Sequence, residues 1–406
     1  MTIFLLVVTA VYLYIVWLLL NYQHFKQQRD TISLRIHVNG IRGKSTVTRY
    51  VAAVLREAGY HTFGKTTGSA ARILRPDGED YDFHRRGYPN VNEQVKIVKQ
   101  FVRQKAEAIV MECMAVNPVY AEWLEQKVMR SHIGIITNVR YDHPDQLGET
   151  LEEIAESLSR SIPERSILIT TETNPTLVQI LCRNAHNKQT RVIIADEKRV
   201  SPKDREGFNH FAHESNIAIG YEIAHLLNIS EARALKAMQS AVADPGSFRI
   251  QHFEFEERSI AWANLFAIND RESFISVCME LFKQCASYTT VAVLNNRHDR
   301  PERVELFAGL TKQLEFDRVI TLGAYESEVK KIFSESKKLV QLGFSTKYKN
   351  ASGEELLHEI ISTTDADKIL IIGAVNIHTV QAEHLLHLFA ELKQAMATAQ
   401  QGSGKG

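Results

Sequence analysis

The residues best suited to chemistry lie in Asn39-Gly40-Ile41-Arg42-Gly43-Lys44-Ser45-Thr46, between a short apolar run and a stretch with apolar residues at helical spacing. Glycine lets a backbone turn tightly and aim its N–H groups at phosphate oxygens. A helix N-terminus directly after the turn adds its positive end. Lys44 can then reach the outer phosphates of a nucleotide, and the Ser45 hydroxyl can ligate Mg2+. The strict phosphate-loop pattern has glycine where this chain has Val38, so the loop is a shortened form. A chance glycine turn with a surface lysine is the competing reading. Strand, loop and helix falling in the required order favour phosphate. The loop alone does not select a reaction, since kinases, switches and ligases all use one.

Two later loops also follow apolar runs: Val110-Met-Glu112-Cys-Met-Ala-Val-Asn117-Pro118 and Thr137-Asn138-Val-Arg140-Tyr-Asp142-His143-Pro-Asp145. Open parallel sheets hold ligands at such strand ends. A carboxylate leaving a buried strand is a hard ligand suited to Mg2+. Glu112 is therefore one candidate, and His143 a less usual second. Either alone would more often be a solvated loop residue or a cap; their order behind a phosphate loop raises both.

What must hold these loops is an alternation of strands and helices. Runs at 34–38, 108–111, 133–136, 167–169 and 192–195 read as strands, and Val47, Val51, Val54, Leu55 and Ala58 share a helical face closed by Gly59. This alternation predicts an α/β fold whose mostly parallel sheet is covered on both faces. A second set of strands at 291–294, 319–322 and 369–372 predicts a smaller Rossmann-like α/β domain, with the turn-rich Asp244-Pro245-Gly246-Ser247 between the two. The expected division is a membrane helix over 1–22, a P-loop domain over 23–248, a C-terminal domain over 249–396 and a flexible tail over 397–406.

From Thr2 to Leu20 there are 19 residues without a formal charge, enough to span a hydrocarbon core of about 30 Å. A cleaved signal peptide would show a basic start and a small-residue cleavage site, and neither is present. Lys26, Arg29 and Arg35 follow the apolar run, so the positive-inside rule places the body in the cytoplasm of a single-pass cell-membrane protein. Across 406 residues, 48 lysines and arginines balance 48 aspartates and glutamates. No overall basic field exists to recruit nucleic acid. The four cysteines form no CxxC pair, which reads as reduced thiols.

Taken in order, the motifs resemble the Mur ligase superfamily, which includes the peptidoglycan peptide ligases and folylpolyglutamate synthase. Gly40 to Thr46 is similar to that family's G-T-N-G-K-T-T loop, and Glu112 to its magnesium glutamate. Thr137-Asn138 through Asp142-His143 and Asp145 is similar to T-N-x-x-x-D-H-x-D, with His143 as second metal ligand. Pro245 to Arg249 resembles the P-x-R-F hinge with phenylalanine and arginine exchanged, and Asn269-Asp270 resembles a nucleotide contact. Asn216 resembles the second asparagine of an adenine-side H-N-x-x-N motif whose first position is His213 here. Within the superfamily, Asn39 to Arg49, Gly64 to Gly68, Glu112 to Pro118 and Arg297 to Arg300 are most similar to the ligase subunits of bacterial poly-γ-glutamate synthases. One departure stands out. The family's carbamylated lysine has no counterpart, because no lysine lies between Asp145 and Glu164; Arg160 is a candidate to supply that charge.

The resemblance implies an ADP-forming acid–amino-acid ligase using ATP and Mg2+. It would activate a carboxylate as an acyl phosphate and join glutamates through γ-carboxyl amides. Catalysis would rest on Lys44, Arg42, Glu112, His143 and Arg249, and metal binding on Ser45, Glu112 and His143. Nucleotide would be held by residues 39–46 with Asn138, Asn216, Arg249, Asn269 and Asp270. Lys65, Thr66, Thr67 and Arg72 read as a second anion site for an amino-acid carboxylate, with Arg75, Arg85 and Arg86 extending a basic strip toward a polyanionic chain; a solvated basic loop is an equal reading. Arg297, Asp299, Arg300 and His378 follow strands and are further substrate candidates, each equally a surface ion pair. Expected partners are glutamate, the poly-γ-glutamate chain and other membrane subunits, with a homo-oligomer left open. The competing functions are a membrane-tethered P-loop kinase and a nucleotide-dependent scaffold.

Overall fold

The structure is a computed structural model that describes residues 2–67, 71–84, 90–208, 210, 212–243, 250–266, 268, 271–334, 339–341, 350–376 and 379–403. It divides into two compact units, Met1–Ser247 and Phe248–Gly406.

In the first unit an eight-stranded sheet has the order β4-β3-β2-β5-β1-β6-β7-β8. Its strands are β1 (Leu34–Asn39), β2 (Thr62–Thr66), β3 (Arg72–Leu74), β4 (Asp80–Asp82), β5 (Ala108–Glu112), β6 (Ile133–Ile136), β7 (Ile167–Thr170) and β8 (Arg191–Ile194). The run from β2 to β8 is parallel; β3 and β4 turn back antiparallel at one edge. β5 and β6 are buried along their whole length, as expected where helices cover both faces. β1 is the middle of this arrangement. Its Ile36 and Val38 join the core with Val47, Val51, Val54 and Leu55 of the helix Lys44–Glu57. Gly59, at φ 91°, lets the chain leave that helix in the left-handed region.

The alternation in β1 conceals a buried polar row. Arg35 donates to the carbonyls of Ile32 (2.7 Å), Met129 (2.9 Å) and Arg130 (3.1 Å). His37 Nδ1 lies 2.8 Å from Glu125 Oε2, whose other oxygen accepts from the Ser131 N–H at 2.7 Å. Burial alone would push the His37 ring down, but hydrogen bonds with Cys113 and Glu125 outweigh it and hold the ring raised at about 10. Glu125 sits in a single π-helical segment, Leu124–Met129.

The first helix is one piece from Thr2 to Asp30, longer than the span expected to end at 22. It is apolar and long enough to cross a membrane. Its far end belongs to the body: Phe25 and Arg29 are buried, and Arg29 donates to the Lys127 carbonyl at 3.2 Å.

The second unit holds a six-stranded sheet of order β13-β12-β11-β14-β10-β9. Its strands are β9 (Ile250–Phe255), β10 (Arg258–Asn264), β11 (Thr289–Asn296), β12 (Arg318–Gly323), β13 (Leu339–Gln341) and β14 (Lys368–Ala374). Among the described strands only β9 is antiparallel to its neighbour. Trp262 of β10 stacks on Phe389 at 4.2 Å within its core. The last helix, Val380–Ser403, runs on through most of the segment expected to be a flexible tail.

Candidate active site

The glycine loop follows β1 and leads into the helix Lys44–Glu57, with Gly43 as its left-handed N-cap. Two glycines are required by contacts as well as by φ. A Cβ on Gly40 (φ 119°) would collide with Thr137, and one on Gly43 (φ 82°) with the Asn216 side-chain amide. Asn216, placed near the nucleotide only by resemblance, thus packs against the loop. Asn138 clamps the turn: its carbonyl accepts from Ile41 N (3.3 Å), its Oδ1 from Arg42 N (3.1 Å), and its Nδ2 donates to the Arg42 carbonyl (3.1 Å). Asn39 donates to Ser161 Oγ at 2.8 Å. Lys44 folds back over its own loop, donating to the carbonyls of Gly40 (2.8 Å) and Ile41 (3.2 Å).

Glu112 leaves β5 beside this loop. Its Oε2 accepts from the Ser45 hydroxyl at 2.8 Å and from the Thr67 N–H at 2.7 Å. A cavity of about 210 Å³ opens there, lined among others by Gly40, Lys44, Thr67, Glu112 and His143. His143 is half-exposed at φ 47°, and Asp142 beside it lies 3.7 Å from the Arg42 guanidinium. Ser45 and Glu112 offer oxygen, the donor class that Mg2+ prefers. Among the described residues no three His, Cys, Asp or Glu side chains are grouped so that they could hold a metal ion by themselves. The donor set therefore fits an ion that takes its remaining ligands from nucleotide phosphates and water, as Mg2+ commonly does.

Other expected groups have partners of their own. Lys65 is wholly buried, 4.0 Å from Glu93 and over the Phe83 ring. Arg72 bonds both Asp80 and Asp82, and Asp80 also holds the buried Arg49. Thr66 is buried as well. Arg160 points outward and pairs with Glu122 at 2.9 Å, which removes it as a replacement for the family's lysine. Arg297 and Asp299 pair with each other at 2.7 Å, and Arg300 precedes the helix Pro301–Gln313. Arg85, Arg86, Arg249, Asn269, Asp270 and His378 lie outside the described residues.

With this geometry in place, comparison with known proteins is direct. Residues 38–233 match the Mur ligase middle domain, and residues 250–392 match the poly-gamma-glutamate synthase CapB C-terminal domain. PGA synthase CapB of Bacillus subtilis (strain 168) is 33% identical over 395 residues, covering 96% of this chain and 98% of that protein. The chain belongs to the CapB family. Capsule biosynthesis protein CapB of Bacillus anthracis is 34% identical over 316 residues, 77% of this chain and 68% of that one. Among solved structures, E. coli FolC in complex with ADP has a TM-score of 0.61 at 12% identity, covering 91% of this chain and 93% of its own. The bifunctional folylpolyglutamate synthase/dihydrofolate synthase of Yersinia pestis, complexed with AMPPNP and Mn ion, has a TM-score of 0.60 at 15% identity, covering 92% of each chain. These two share the fold. As a CapB-family chain built on a Mur ligase middle domain, the protein is an ATP-dependent, ADP-forming amide ligase, which sets aside the kinase and scaffold readings.

Two groups escaped sequence reasoning. Glu172, just past β7, is a buried carboxylate bonded to the Asp142–His143 loop. Asn295 and Asn376 cross-link the ends of β11 and β14, with Asn295 Nδ2 donating to the Asn376 carbonyl at 2.6 Å. Asn295 and Asn376 each directly follow an apolar run, which was their signal; Glu172 stands behind Thr170 and Thr171 and carried none.

Proposed function

We propose that the chain joins glutamate to a growing poly-γ-glutamate chain at the Gly40–Lys44 loop. The observation that carries this is the junction of Ser45, Glu112 and Thr67 at the mouth of that loop, read with the CapB relatives. A glutamate γ-carboxylate oxygen attacks the γ-phosphorus of ATP and ADP leaves. The amine of a second glutamate then attacks the carbonyl carbon, phosphate leaves, and the amine gives up a proton. Bringing a carboxylate to a triphosphate sets like charges together. Arg42, Lys44 and the loop N–H groups offset that repulsion from fixed positions. Ser45, Glu112 and His143 would hold Mg2+, which supplies charge neutralisation at the phosphates. Asn138 and Asn216 shape the nucleotide side of the loop. The helix Thr2–Asp30 anchors the enzyme in the cell membrane with its body in the cytoplasm and leaves its apolar flank for other membrane subunits.

The test is product chemistry on the full-length protein in membranes given ATP, Mg2+ and glutamate. ADP and phosphate should appear, hydroxylamine should trap a hydroxamate, and mass spectrometry should find γ-linked product. AMP with pyrophosphate would sink acyl-phosphate chemistry. An α-linked product would overturn the γ-linkage, and preferred incorporation of another amino acid the glutamate claim, with the ligase chemistry left standing.

A further inference from the structure

Glu172 has no part in the chemistry just derived, yet one of its two oxygens is directed at the loop that carries Asn138 and His143. Its Oε2 accepts from the Val139 N–H at 2.9 Å and from Arg140 Nη1 at 3.1 Å. Its Oε1 accepts from the N–H groups of Thr173 and Asn174, each at 3.0 Å. Asn174 in turn caps the helix Pro175–Asn187 by accepting from Thr176 N at 3.0 Å. One carboxylate, 3% exposed in its side chain, therefore fastens the loop after β6 to the start of a helix, where the helix dipole favours negative charge. Next to it, Thr171 Oγ1 donates to the Thr137 carbonyl at 2.6 Å. The fastened loop is the one that clamps the glycine turn through Asn138 and carries Asp142 and His143.

We propose that Glu172 is a positioning residue for ATP and Mg2+: by holding Val139 and Arg140 it sets the register of Asn138 against the phosphate loop and of His143 beside Glu112. A buried polar group whose partners are all charged or main-chain donors cannot be replaced by an amide without opposing one donor to another. Groups bonded directly to a metal's ligands typically move its affinity, or the activity, by about 10–100-fold; Glu172 acts through the main chain of the loop that bears His143, so that range is its upper bound.

The inference rests on the phosphate-loop reading above, and one control separates the two. In full-length enzyme, Glu172→Gln should raise the Mg2+ and ATP concentrations giving half-maximal rate by up to about 100-fold, with the glutamate KM little changed. Glu172→Asp, which keeps the charge on a shorter arm, should recover part of the loss. Amide hydrogen exchange should quicken at 39–43 and 138–143 and stay unchanged in β8. Equal rises in both KM values with faster exchange throughout would make the role merely structural and overturn the proposal, as would an unaltered ATP requirement. Should the glutamine variant not fold, Arg140→Met, which leaves three of the four contacts, carries the test: an unmoved ATP requirement rejects it. Lys44→Ala is the control. If that variant keeps full activity, the site reading fails; if it is dead while Glu172→Gln is normal, only this inference fails.

Discussion

Two charged regions of the first unit read in the sequence as anion sites, the one along β2 to β4 with a solvated basic loop as an equal reading. Around the glycine loop, Lys44 bonds among the described residues only to carbonyls of its own turn, and the Arg42 guanidinium stands 3.7 Å from Asp142 beside an open cavity. Along β2 to β4, Arg72 is held by Asp80 and Asp82, Arg49 by Asp80, and Lys65 lies beside Glu93. The difference is what each cation already faces. A cation resting on backbone carbonyls can exchange them for phosphate at small electrostatic cost. A buried cation already paired with a carboxylate would leave that carboxylate uncompensated if it turned to a ligand, at a cost of several kcal/mol. Residue type identifies a cation; only its neighbours say whether its charge is available.

The sharpest way to break this contrast is Lys44→Ala. If Lys44 is the available charge, turnover should fall about 10²–10³-fold or more, as when other preorganised transition-state donors are removed, while the melting temperature changes little. Retained turnover would place Lys44 with the structural cations.

Asp80→Asn tests the other region. Removing one partner from a buried pair costs about 3–5 kcal/mol, so the full-length protein in detergent should unfold at clearly lower urea. Burial works to raise the Asp80 carboxyl, but hydrogen bonds from Arg72 and Arg49 outweigh it and hold it below the usual carboxylate range. A depressed folded value means the pair's contribution is complete above the unfolded carboxyl's pKa, about 4, and is lost as pH falls through the folded value. The gap between wild type and variant should therefore be full at pH 7 and narrow in acid. A gap independent of pH would mean that Asp80 acts by packing instead of charge.

The contrast also explains what the sequence could and could not disclose. The parallel core was legible because β5 and β6 are unbroken apolar runs, and the loop because its glycines, Lys44 and Ser45 sit between a strand and a helix. β3 and β4 were not: they are three-residue strands at the antiparallel end of the sheet, Arg72–Leu74 and Asp80–Asp82, whose ion pairs join residues eight and ten apart, a spacing belonging to no helix or strand period. Glu172 was missed for a related reason. Its partners Val139 and Arg140 lie 33 and 32 positions away, and only the adjacency of β6 and β7 brings them together.

The smallest effect is expected where the family's carbamylated lysine would stand. Ser157 and Leu158 line the cavity there, and the helix Leu151–Ser159 ends under another lysine. Lys188 Nζ donates to the carbonyls of Ser159 (3.2 Å), Arg160 (2.9 Å) and Ile162 (2.8 Å). Burial lowers the Lys188 pKa, which by itself favours the neutral amine whose lone pair attacks CO₂. Three carbonyl acceptors, however, require three N–H donors, the full complement of an ammonium. A carbamate would leave one N–H and set anionic oxygens against those carbonyls. Lys188 therefore stays a helix cap, and initial rates in decarbonated buffer should not respond to added bicarbonate. Arg160→Ala should leave turnover within about twofold, since exposed pairs such as Arg160–Glu122 contribute only about 0–1 kcal/mol. Rescue by CO₂ that persists in Lys188→Met would show another lysine supplying charge to the pocket. Rescue abolished by that substitution would place Lys188 among the available charges and move the dividing line of the comparison.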